Sequence, residues 1–81
     1  MANERTRSES VAYLLAVLAM CEAEAARSDL ATVHIQRAMT DASPDDVAMY
    51  ALEIQHKQGH AAVSRDTARK CRDLLTEWGE S

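Results

Sequence analysis

Residues Val11–Cys21 read VAYLLAVLAMC, eleven apolar positions in a row within a chain of 81 residues. A helix on the surface of a small domain is apolar on one stripe and polar on the other. This one is apolar all round, so both of its sides call for burial. So short a chain has little material to wrap a helix completely. The cover expected from sequence is a second copy of the chain or another, larger protein. Eleven residues are too few for a membrane span, which needs roughly 18 or more, so no membrane partner is expected.

The length fits one domain, with residues 1–7 as a flexible N-terminus and 8–79 as a single helical domain. Phe is absent, Gly occurs twice and Pro once. Ala and Leu are plentiful, while Val and Ile are sparse. That balance predicts an all-α fold. With few large aromatic side chains the core must be built from Leu, Val, Ile, Met and Ala. Such a core is thin, which again favours oligomerisation.

Capping signals divide the chain into a bundle of three to four helices. Thr6-Arg7-Ser8-Glu9 fits a capping box, with Ser8 or Ser10 as alternatives. The first helix is expected to run to about Arg27, with Ser28 or Asp29 capping a second from Leu30 to about Thr40; a single helix through Met39 is the alternative. Ser43-Pro44-Asp45-Asp46 is the clearest punctuation: a Ser cap, Pro at the first helical position, and two carboxylates at the positive end of the dipole. A third helix then runs to about Gln58 and stops at Gly59. Ser64 is expected to cap a fourth, ended by Gly79.

Spacing sorts the first helix into two faces. Val11, Leu14, Leu15, Leu18 and Ala25 form the expected core stripe. It is to be covered by Val47, Tyr50, Ala51 and Ile54 of the third helix and by Thr67, Cys71, Leu74, Leu75 and Trp78 of the fourth. Tyr13, Ala16, Val17 and Met20 form the opposite face, the expected protein interface, since Tyr and Met are favoured there. Its only internal candidate for cover is the Ala31/Ile35/Ala38/Ala42 face of the second segment, should that segment fold back. The expected assembly is a homodimer through helix 1.

The net charge is −4 and the sequence pI about 5.2. An acidic chain is repelled by phosphate backbones, so nucleic acid is a disfavoured partner. The C-terminal third is locally basic, however. There Val63–Lys70, VSRDTARK, resembles the start of the recognition helix in bacterial helix-turn-helix repressors, which often read V-S-R-x-T-V-R. The resemblance covers about eight residues, and Ala62 stands where that family places a turn glycine. It implies nucleic-acid contacts from Arg65, Arg69 and Arg72, with DNA-binding regulation as the alternative function.

No cofactor or catalytic signature is present: no Gly-rich phosphate loop, no carboxylate pair on one helix face, no Cys beside a His in sequence. His56 and His60 have the i, i+4 spacing of metal ligands. Gly59 between them is expected to end the helix, and no paired Cys completes a site, so no metal is expected. Cys21 and Cys71 read as buried, reduced thiols of a cytoplasmic protein without a leader peptide. The expectation is a small non-enzymatic regulator that binds protein, of the inhibitor, anti-activator or adaptor type, of the kind common in bacteria and phages.

Overall fold

The computed structural model describes residues 6–80. The chain is all-α, but it forms two long helices rather than three or four. Helix α1 spans Arg7–Met39 and α2 spans Pro44–Glu77, joined by a four-residue turn into an antiparallel hairpin. Of the expected N-terminal segment 1–7, residues 1–5 lie outside the described residues; Thr6 caps α1 and Arg7 is its first residue.

The termini follow the local signals. The Thr6 hydroxyl accepts from the Glu9 amide at 3.2 Å and donates to the Glu9 carboxylate at 3.1 Å. Ser43 caps α2 by accepting from the Asp46 amide at 3.3 Å, with Pro44 in the first turn. At the far end Gly79 adopts φ 77°. Its amide donates to the Thr76 carbonyl and the Glu80 amide to the Leu75 carbonyl, at 2.9 and 2.8 Å. This Schellman pattern satisfies carbonyls that the end of the helix would leave open.

The interior breaks expected at Ser28-Asp29 and Gly59 do not occur. Nothing at Ser28-Asp29 prevents a helix, and a mid-helix Gly costs only about 1 kcal/mol against Ala. Continuity is favoured because both helices carry an unbroken heptad seam. On α1 the less exposed positions include Val11, Leu14, Leu18, Cys21, Ala25, Ser28, Thr32, Ile35 and Met39. On α2 they include Val47, Tyr50, Ile54, Lys57, Ala61, Ser64, Ala68, Cys71, Leu75 and Trp78. Each series steps by alternating threes and fours, the period of two helices packed as an antiparallel coiled coil. Breaking either helix would interrupt its seam. Ser28 and Ser64, read from sequence as caps, are instead buried seam residues.

The middle of the seam is made of small side chains. Ala25, Ala61 and Ala68 are buried, as are Ser28, Thr32 and Ser64. Small residues let two backbones approach closely enough to exclude water without a third layer. The Thr32 hydroxyl donates to the Ser28 carbonyl at 3.0 Å and the Ser64 hydroxyl to a Glu24 carboxylate oxygen at 3.4 Å. Among the described residues, buried side-chain polar atoms all have partners. Leu75 is the one large aliphatic residue in the buried set, contributing about 2 kcal/mol.

Charge fixes the register. Arg72 pairs with Glu22 and Arg65 with Asp29. The two pairs are seven residues apart on each helix, one heptad up α1 and one heptad down α2. On the other flank Nε2 of His60 lies 4.0 Å from Oε2 of Glu24. At the open end Arg7 lies 3.8 Å from Glu80 and donates to the Trp78 carbonyl. Each exposed pair contributes little energy. Together they fit one alignment of the helices: acids on α1 face bases on α2 along the middle, and the polarity reverses at the Arg7–Glu80 end.

Candidate interaction surface

The hairpin measures 60 × 25 × 13 Å, with a radius of gyration of 18.0 Å. A compact domain of this length would have a radius near 12 Å. A structure two helices wide has little interior, so surface chemistry is where it can act. The second segment does not fold back over α1 but extends it. Among the described residues, the α1 face opposite α2 is therefore left open.

On that open side Tyr13 is 54% exposed and Met20 62%. Ala16 is exposed beside them, and Val17 is half-buried at the flank of the seam. The four residues predicted as an interface thus do cluster on one side of α1. Leu15, expected in the core, is 50% exposed. It lies one position past the seam residue Leu14, outside a contact stripe only two helices wide. Ala51 and Ala38 are likewise exposed, and Leu74 is 41% exposed although expected to face inward.

Leu74 belongs to the same flank as Val17. Val17 precedes Glu24 by one heptad, and Thr67 and Leu74 follow His60 by one and two heptads. Because Glu24 and His60 face each other, Val17, Thr67 and Leu74 share their side. Sequence reasoning missed this contribution from α2, since it needs the register of the hairpin.

A second omission lies on the back of α1. Ala12, Ala16, Ala19, Ala23, Ala26, Leu30 and Val33 are all exposed and again step by fours and threes. They form a second apolar seam, on the side of α1 away from α2 except at Ala26, which borders the groove between the helices. No residue of this strip is charged, and the neighbouring carboxylates Glu22 and Asp29 pair with arginines of α2. The equivalent strip of α2 includes Asp45, Asp66, Arg69 and Asp73, and is charged.

The nucleic-acid candidates are placed differently from expectation. Val63–Lys70 lies inside α2 with no turn before it, so the helix-turn-helix geometry implied by the resemblance is not formed. Arg65 and Arg72 bind carboxylates of α1, and Arg69 pairs with Asp66 within α2. Asp66 also holds Lys70 at 3.0 Å, and these two cations, Lys70 first, keep its carboxyl below the usual range. All three arginines are thus engaged within the hairpin.

Because α2 does not stop at Gly59, His56 and His60 stand one turn apart on a continuous helix. They line an open groove of about 490 Å³ with Glu24, Arg27 and Lys57. Among the described residues, no three His, Cys, Asp or Glu side chains converge to hold a metal. Cys21 and Cys71 are free thiols, the second buried. Burial, then the Glu24 carboxylate, then Cys71, push the Cys21 thiol above its ordinary value. That direction disfavours an activated nucleophile. Among the described residues, no helix is long and apolar enough to cross a membrane. The chain matches no family model, no curated protein and no solved structure in the three comparisons made.

Proposed function

We propose that this chain is a small non-enzymatic regulator that acts by protein–protein binding, of the inhibitor, anti-activator or adaptor type. The supporting observation is the imbalance of α1. Its seam face is covered by α2, while Tyr13, Leu15 and Met20 remain half or more exposed within a stretch, Ser10–Cys21, that carries no charge. Exposed apolar surface of this kind, rimmed by charged residues, marks a site of association. Tyr13 and Met20 supply the anchors, Val17 and Leu74 the floor, and the surrounding charges the orientation. The regulated target is a larger protein, which competes with self-association for this side of α1. Two free thiols suit the reducing cytoplasm as its place of action.

Affinity capture from a native lysate, with bound proteins identified by mass spectrometry, tests the target. The wild-type chain is expected to retain a specific larger protein, and Met20→Glu or Val17→Glu to lose it. Equal recovery by wild type and both variants, each shown to be helical by circular dichroism, would refute the role of this surface.

A further inference from the structure

We infer that the back of α1 is the seam of a homodimer, in which two hairpins join through their first helices with α1 and its copy innermost. This rests on the binding reading above and names its partner as a second copy of the chain. The first support is the seam itself. Ala12, Ala16, Ala19, Ala23, Ala26, Leu30 and Val33 keep heptad spacing over 22 residues, about 33 Å of helix. All but Ala26, which borders the groove between the helices, lie opposite the seam that holds α2, and Tyr13, Leu15 and Met20 flank them. A helix needs one such seam to hold one neighbour; α1 has two, and α2 fills the first.

The second support is area. The chain exposes 6033 Å². A compact monomer of its mass would expose about 4,800 Å². The excess, about 1,200 Å², follows from the flat two-helix shape and is shared by both helices; a standard interface removes roughly 800 Å² from each partner. The hairpin core is also thin, since Leu75 is the largest aliphatic residue it buries. A second layer would supply burial that the hairpin lacks.

Self-complementarity selects a copy of this chain as the occupant. The strip is small at one end, Ala12 to Ala26, and large at the other, Leu30 and Val33. Two such strips run antiparallel about Ala23 set Leu30 and Val33 of each helix against the small Ala12/Ala16 end of the other. The contact is isologous, so it closes at two chains. The carboxylates that would repel across it are already paired with α2.

Sedimentation equilibrium of the full chain tests the inference. The expected mass is twice 8.9 kDa. Ala23→Glu is expected to raise the dimer dissociation constant at least a hundredfold, and Ala19→Glu to act similarly. Glu is a good helix former and these positions face away from α2, so the isolated hairpin tolerates both changes. Ala62→Glu, on an exposed part of α2, should leave the dimer unchanged. A monomeric wild type at about 100 µM, or a dimer insensitive to both α1 variants, would overturn the inference. The two readings fail separately. A monomer that still captures a target keeps the binding reading and loses this one, whereas an α1 dimer that captures nothing does the reverse.

Discussion

Ala68 is 1% exposed, and its methyl group is what lets the two backbones close on each other. Replacing it by Leu forces extra volume into a seam that already covers Ala68 almost completely, so Ala68→Leu is expected to destabilise the fold by about 1–3 kcal/mol. Urea denaturation followed by circular dichroism measures this, with Ala48→Leu at an exposed position as the neutral comparison. The same crowding acts on chemistry at Cys21. Its thiol is raised chiefly by burial, with Glu24 and Cys71 adding to the effect. Less thiolate is then present at pH 8 than in an unstructured peptide, so alkylation by iodoacetamide is expected to be slower at Cys21 than in a short Cys peptide. Peptide mapping by mass spectrometry reads the difference, and a rate equal to the free peptide's would contradict it. Several of these roles were legible one residue at a time: Thr6, Ser43, Pro44 and Gly79 sit where their backbone preferences place them. Ser28 and Ser64 misled because a serine that can cap can also be buried, and only a neighbouring helix decides which.

At the scale of the element, α2 persists through Gly59 because seam contacts on both sides outweigh one weak residue. A Cβ added there would meet nothing within 4 Å. Gly59→Ala is therefore expected to stabilise the hairpin by about 1 kcal/mol through lower chain entropy and better helix propensity. Gly79→Ala makes the opposite case. Its φ of 77° is strained for an L side chain, so the change is expected to cost about 1 kcal/mol despite equally open space. Thermal melts of the two variants should move in opposite directions; a shared direction would mean that the glycines are not set by the conformations assigned to them. The helices themselves were legible as helices, from composition and caps. Their lengths were legible only for α1, and there only as the alternative of one helix through Met39, because the heptad seams pass through Ala25, Ser28, Thr32, Lys57, Ala61 and Ser64. A search for large apolar residues loses the period at those positions, and the missing stretches look like breaks.

For the whole molecule, the consequence of two helices in place of four is exposure. Four helices would cover α1 on both sides; two cover it on one, and the apolar run of residues 11–21 keeps its outward face. Removing that surface with Met20→Glu or Ala23→Glu should therefore alter association more than helicity, and sedimentation with circular dichroism separates the two effects. Helicity, the capped ends of the hairpin, and the shared side of Tyr13, Ala16, Val17 and Met20 on α1 were all written in the local sequence. These depend on interactions within a few residues, or on the 3.6-residue period of one helix. Tertiary structure alone decided that Ser28 and Ser64 are buried, that Arg65 and Arg72 answer Asp29 and Glu22, and that Leu74 joins the flank of Val17. Each of those depends on the register between segments 36 to 57 residues apart in the chain, and that register is set by small-residue packing and charge pairing between helices.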